Sequence, residues 1–184
     1  MRNLWTPNAA IREKARKIKL LLTDVDGVLT DTGVYYSESG EAMKRFSIRD
    51  GMGVERLKTV AGVETGIMTG ERSGSIRKRA DKLKITELHV GILEKAAALP
   101  AILQARGLKS EEVAFIGDDV NDIGIINIVG LSACPYDAYH AVKLETDIIC
   151  RAKGGNGAFR EFAEIIIESQ VNTKKTYIRK RNGG

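Results

Sequence analysis

Two groups of aspartates stand where a folded chain ordinarily places apolar residues. Leu20-Leu21-Leu22-Thr23 reads as a buried strand of a parallel sheet, and it ends in Asp24-Val25-Asp26-Gly27. Val113-Ala114-Phe115-Ile116 reads as another, and it ends in Gly117-Asp118-Asp119, with Asp122 close behind. A single aspartate after a strand is ordinarily the N-cap of the next helix. Two acidic clusters at two strand ends point to chemistry, because in open α/β sheets the site lies outside the carboxyl ends of the strands. Residues i and i+2 of a strand face the same side, so a chain extended through Asp26 directs both carboxylates into one cavity. Such a pair suits a nucleophile beside an acid/base, or a hard-metal site. Carboxylates converging from two strands offer oxygen ligands for Mg²⁺.

The rest of the chain supplies the elements that position these groups. Apolar spacing predicts a helix over 8–18, with Ile11, Ala15 and Ile18 on one face, and a strand over 19–24. Val34-Tyr35-Tyr36 and Ala42–Phe46 flank Ser37–Glu41, a turn containing Gly40, and read as a β-hairpin. Helices are expected over 51–61, 73–83, 95–106, 119–129, 138–144 and 161–170, and Gly107 ends the third of these. Strands are expected over 63–68, 87–90, 113–116, 131–134 and 147–150. Strands alternating with helices argue for an α/β fold with a doubly wound parallel sheet. No internal repeat or low-complexity linker interrupts it.

Composition narrows the class. At 184 residues the chain suits one domain with a substantial core. No apolar run reaches the length of a membrane span. The first residues, Met1 to Lys19, are polar and charged with no apolar stretch, so secretion is not expected, and neither is membrane attachment. Cys134 and Cys150 lack metal-type spacing and read as reduced core residues of a cytoplasmic protein. The net charge of +5 owes much to Lys174, Lys175, Arg179, Lys180 and Arg181. With no interleaved aromatic residues, that tail reads as solvated or as a guide for an anionic substrate, and no nucleic-acid partner is expected. His89 and His140 show no ligand spacing, and Trp5 is expected to pack at the first helix.

Four motifs in order carry a resemblance. Asp24-Val25-Asp26-Gly27-Val28-Leu29-Thr30 is similar to the first motif of the haloacid dehalogenase superfamily of phosphohydrolases. Gly66-Ile67-Met68-Thr69-Gly70 is similar to its second, Lys95 is placed as its third, and Gly117-Asp118-Asp119 with Asp122 is similar to its fourth. Within it, three stretches resemble the small phosphatases acting on 3-deoxy-D-manno-octulosonate 8-phosphate and related nine-carbon sugar-acid phosphates. They are Asp31–Phe46, Arg49-Asp50-Gly51-Met52-Gly53 and Gly154-Gly155-Asn156-Gly157-Ala158-Phe159-Arg160-Glu161. The resemblance implies a Rossmann-like core over 19–170, preceded by a helix within 1–18 and followed by a basic tail over 171–184. Superfamily members usually carry an inserted cap domain. Here the gaps hold only a hairpin, helices and a strand, so no cap is expected.

The resemblance also implies roles. Asp24 would attack phosphorus to form an aspartyl-phosphate. Asp26 would protonate the leaving oxygen and later deprotonate water. Mg²⁺ would sit on Asp24, the backbone carbonyl of Asp26, and Asp118. Thr69 and the Gly70 N–H would bind phosphate, and Lys95 would contribute a point charge. Asp119 and Asp122 would orient the metal shell or cap the next helix. For a keto-acid carboxylate the candidates are Arg45, Arg49, Arg79, Lys82 and Arg160. Arg160 is favoured because the preceding glycines let backbone approach a ligand. Glu71 follows Thr69-Gly70 where the octulosonate enzymes tend to place arginine. Glu71 with Lys82 resembles instead the branch acting on 2-keto-3-deoxynononate or N-acylneuraminate 9-phosphates. Without a cap, a neighbouring subunit is the expected cover for the site. The hairpin, with Tyr35, Tyr36 and Phe46, invites pairing between copies, and a homotetramer is expected by resemblance. The pathway would be lipopolysaccharide precursor or sialic-acid synthesis. A non-catalytic oligomerisation module is the competing class, but a scaffold has no need to keep both Asp24 and Asp26.

Overall fold

The computed structural model describes residues 7–171, so Trp5 and the basic stretch from Lys174 to Arg181 lie outside the described residues. The elements run in the order α1 (Ala9–Lys17), β1 (Leu20–Thr23), β2 (Val34–Ser37), β3 (Gly40–Lys44), α2 (Ile48–Arg56), β4 (Glu64–Thr69), α3 (Gly74–Leu83) and β5 (Glu87–Val90). They continue with α4 (Lys95–Arg106), β6 (Val113–Ile116), α5 (Ile123–Ile126), β7 (Leu131–Cys134), α6 (His140–Glu145), β8 (Ile148–Ile149) and α7 (Ala158–Gln170). Six strands form one parallel sheet in the order β5-β4-β1-β6-β7-β8. The chain winds outward from β1 through β4 to β5, then crosses back to β6 and winds the other way. That reversal makes the carboxyl end of β1 a topological switch point, where a crevice opens.

Strand alternation divides the core into two layers. Leu21, Ile67, Ala114 and Ile116 pack with Ala15, Leu57, Ile76 and Phe162, from the side of α1, α2, α3 and α7. Leu20, Leu22, Met68 and Phe115 pack with Leu99, Ile102, Ile125 and Val142, from the side of α4, α5 and α6. Both faces of β1 are thus covered, which explains its unbroken apolar run. Cys134 and Cys150 are buried and free. Among the described residues no helix is long and apolar enough to cross a membrane, and no cap domain interrupts the core.

Several elements depart from the pattern of the sequence, among them α2, which begins at Ile48 rather than 51 and gives way to a π-helical turn, Leu57–Ala61. The helix expected over 119–129 is a 3₁₀ turn, Val120–Asp122, followed by the four residues of α5. Asp122 turns its carboxylate back to accept the Asp118 N–H at 3.0 Å, which competes with helical winding, and the β-branched residues around it resist a long helix. The hairpin turn is shorter than expected, because β2 runs on to Ser37 and β3 already begins at Gly40. At the other end, α7 begins at Ala158 rather than 161. Its first N–H groups find their acceptor far away in sequence. Asp50, 1% exposed, accepts from Gly157 at 3.1 Å and from Arg160 at 2.9 Å. Asp50→Ala strands these donors inside the fold. A loss of about 2 kcal/mol is expected, seen as a lower urea midpoint with an unchanged m-value.

Candidate active site

The loop after β1 shapes the first wall. The N–H groups of Val28, Leu29 and Thr30 all converge on the carbonyl of Val25, at 3.2, 2.9 and 3.0 Å. The chain therefore turns after Val25 rather than staying extended through Asp26. Thr23 is the last strand residue, and the two carboxylates meet different cations. Asp24 lies 3.0 Å from Lys95 Nζ, whereas Asp26 Oδ1 lies 2.7 Å from Lys44 Nζ and 3.3 Å from the Thr30 hydroxyl. Gly27 has φ +87°, and a Cβ there would lie 1.9 Å from Asp118 Oδ2. Only glycine allows this loop to meet the end of β6 so closely.

Lys95 is the pivot. Its side chain has no exposed surface, and Nζ bridges Asp24 at 3.0 Å and Asp122 at 2.5 Å, with the ring of Phe115 at 5.5 Å. Burial works against the ammonium, but the two carboxylates outweigh it and hold its pKa above the ordinary lysine value. Burial, opposed by Lys95 and reinforced by Asp122, pushes Asp24 up to about 7. Burial, with like charge from Asp24, Asp122 and Asp119, pushes Asp118 up to about 8. Ligand oxygens of Asp24, Asp118 and Asp122 lie within 4.8 Å of one another. Asp122 is already committed on both oxygens, to Lys95 and to the Asp118 N–H. Among the described residues the Asp118 carboxylate has no ion-pair partner or hydrogen-bond donor, and the nearby charges that act on it are mainly like charges. Hard oxygens crowded together, one of them uncompensated, fit a divalent cation.

The remaining candidates scatter. Thr69 closes β4, buried, with its Oγ1 accepting the Glu71 N–H at 3.1 Å. Gly70 is half-buried and Glu71 exposed. Arg79 donates to the Ser47 carbonyl at 2.7 Å and lies 5.5 Å from the Phe46 ring, fastening α3 to the segment after the hairpin. Arg160 pairs with Glu164 at 2.7 Å, Arg45 with Asp31 at 2.6 Å, and Arg49 is exposed. Lys82 is not among the residues gathered around Asp24, Asp26 and Asp118. It sits on the last turn of α3, at the amino edge of the sheet, lining a cavity of about 530 Å³ with Lys58, Thr65 and Ile85. Asp119 caps the 3₁₀ turn through the Val120 N–H at 2.7 Å. Lys44 was not among the candidates. Only its tertiary contact with Asp26 reveals it, because a lysine in an exposed hairpin carries no signal of its own.

The family model for haloacid dehalogenase-like hydrolases matches residues 76–162. The 3-deoxy-D-manno-octulosonate 8-phosphate phosphatase of Haemophilus influenzae is 37% identical over 160 residues, 87% of this chain and 88% of that protein. This chain belongs to the 3-deoxy-D-manno-octulosonate 8-phosphate phosphatase family of haloacid dehalogenase-like hydrolases. It is a phosphoric monoester hydrolase. Solved structures of family members superimpose closely. The Moraxella catarrhalis phosphatase, in complex with magnesium ion, phosphate ion and a KDO molecule, has a TM-score of 0.87 at 32% identity, covering 94% of this chain and 98% of that one. The cobalt-bound Haemophilus influenzae enzyme has a TM-score of 0.82 at 38% identity, covering 85% and 91%. A divalent-metal phosphatase site accords with the acidic cluster seen here.

The raised pKa values give the metal-free phosphatase a characteristic pH dependence. An aspartate whose folded pKa lies above its unfolded value contributes stability at low pH, and that contribution is lost as pH rises through the folded pKa. The metal-free protein should therefore lose stability between about pH 4 and 8. Asp118→Asn should flatten this slope and raise the melting temperature at pH 8 by several degrees, for a gain of about 2 kcal/mol. Mg²⁺ should stabilise the parent protein at pH 8 and the variant far less. Calorimetry across pH, with and without metal, reads all three.

Proposed function

We propose that this phosphatase is Mg²⁺-dependent and hydrolyses a 3-deoxy-2-keto sugar-acid phosphate of the octulosonate 8-phosphate type, through an aspartyl-phosphate on Asp24. The observation that carries this is the fully buried Lys95, which fixes Asp24 beside an uncompensated Asp118. Relatives with that activity at 36–37% identity support the substrate class. Asp24, Asp118 and the backbone carbonyl of Asp26 would hold the metal, and Asp122 would position both Asp118 and Lys95. When bound, a divalent cation offsets the repulsion between the Asp24 carboxylate and a dianionic phosphate.

The residues divide the work. Lys95 orients Asp24 for in-line attack and shares the charge of the phosphate oxygens. Thr69 and the Gly70 N–H hold a phosphate oxygen. Asp26 gives its proton to the departing sugar oxygen, so the alcohol leaves neutral, and it later takes a proton from the water that cleaves the Asp24 ester. Arg79, Lys82, Glu71 and Arg160 are assigned to the sugar acid. Lys82 lines a cavity that includes none of Asp24, Asp26 and Asp118 of its own chain, so we assign it to the site of a neighbouring subunit. The assembly we propose is a homotetramer packed through the hairpins, whose Tyr35, Tyr36 and Met43 are exposed. The catalytic domain spans 19–170, between the first helix and the basic tail, and works in the cytoplasm. The exposed Glu71 favours a second reading, in which the substrate is a nine-carbon 9-phosphate.

Phosphate release from the two esters, side by side with Mg²⁺, decides between them. A hundredfold preference in kcat/KM for the octulosonate ester, about 2.7 kcal/mol, is expected. The same preference for a nine-carbon ester would establish the second reading. Chelation should abolish turnover and Mg²⁺ restore it. Asp24→Asn should lose at least 10³-fold, and turnover retained in that variant would exclude the aspartyl-phosphate.

A further inference from the structure

The hairpin carries a charge it hides. The Lys44 side chain is only 2% exposed, with Nζ 2.7 Å from Asp26 Oδ1 and 3.4 Å from Glu41 Oε2. The other oxygen of Glu41 accepts from the hydroxyl of Ser73, the N-cap of α3. Residues three apart in a regular strand point to opposite faces. Here Tyr35 pairs with Met43 but Tyr36 with Glu41, leaving Ala42 as a β-bulge. The extra residue returns Glu41 and Lys44 to the same face, a re-aiming that bulges beside active sites commonly perform. The hairpin is thereby stitched to the loop after β1 and to the start of the helix after β4.

The two oxygens of Asp26 differ as a result. Oδ1 is held by Lys44 and by the Thr30 hydroxyl. Oδ2 is buried and has no hydrogen-bond partner among the described residues. Burying an ammonium costs several kcal/mol unless it is well paired, so the placement of Lys44 is specific rather than incidental.

We propose that Lys44 is a positioning residue for proton transfer, holding Oδ1 of Asp26 and so fixing the orientation of the carboxyl group at the site. The proposal rests on the reading of Asp26 as acid/base. As an Asp24 oxygen bonds to phosphorus and the ester P–O bond breaks, the proton on the Asp26 carboxyl passes to the departing oxygen. In the second half, the Asp26 carboxylate takes a proton from water, whose oxygen bonds to phosphorus as the Asp24–phosphorus bond breaks. The hairpin then does within one subunit part of what a cap does elsewhere, fixing the acid over the reacting atoms.

Leaving-group dependence tests this. p-Nitrophenolate departs without a proton, phenolate gains from one, and a sugar alkoxide needs one. Lys44→Met should lose about 100-fold in kcat on octulosonate 8-phosphate and about 10-fold on phenyl phosphate. On p-nitrophenyl phosphate it should lose no more than threefold, with KM little changed. Lys44→Arg should recover a substantial part. Lys44→Gln, which keeps a donor without the charge, reads the same dependence if the methionine variant fails to fold, as circular dichroism would show. Equal losses on all three esters, or an effect confined to KM, would overturn the proposal. Asp26→Asn keeps the underlying reading separate. If that variant shows no leaving-group dependence, the acid/base role of Asp26 fails. If it shows the dependence and the Lys44 variants do not, only the role of Lys44 fails. Should the parent enzyme ignore the sugar ester, the two aryl phosphates still decide for Lys44.

Discussion

A lysine ammonium with no exposed surface is held between two carboxylates that come from different strand ends, and the site is arranged around that contact. Each of the three charges would cost several kcal/mol if buried alone. Together, with Phe115 beneath the ammonium, they satisfy one another. The contact draws three segments to one point. Asp24 ends β1, Asp122 belongs to the turn after β6, and Lys95 opens α4 after β5. Removing Lys95 would leave two buried anions facing a third, so the pivot of the chemistry is also a condition for the closure of the sheet's carboxyl edge.

That edge is crowded with backbone as well as charge. A Cβ on Gly27 would strike Asp118, and a Cβ on Gly154 would lie 1.8 Å from the Gly27 carbonyl. The glycine-rich segment before α7 therefore lies directly on the loop that carries Asp26, and the Gly155 N–H donates to the Val28 carbonyl at 2.9 Å. Asp50 secures the far end of the same segment through Gly157 and Arg160. The loop that follows Asp24 is thus braced by its own chain, without a cap domain.

Among the described residues, Lys95 pairs with Asp24 and Asp122 and Lys44 with Asp26, while Asp118 faces the like charges of Asp24, Asp122 and Asp119. The two carboxylates of the first motif therefore stand in different surroundings, Asp24 beside Lys95 and Asp26 beside the hairpin.

Much of this was legible in the sequence. Apolar runs covered on both faces read as parallel strands, and acids at their ends marked the carboxyl edge. The order Asp24, Thr69, Lys95, Asp118 carried the resemblance that implied phosphoryl transfer. What stayed hidden depended on contacts between distant segments. Neither the parting of Asp24 and Asp26 nor the buried Lys44 follows from local pattern. The first comes from three N–H groups converging on Val25, the second from a bulge at Ala42 that turns a strand face around. The broken helix after Asp119 and the early start of α7 likewise answer to Asp122 and Asp50, whose partners lie outside any local window. Local sequence thus determined which residues could react and on which edge of the sheet they stand. Only the tertiary structure decided which cation each carboxylate meets, because buried charges take their partners from whatever the packing brings within reach.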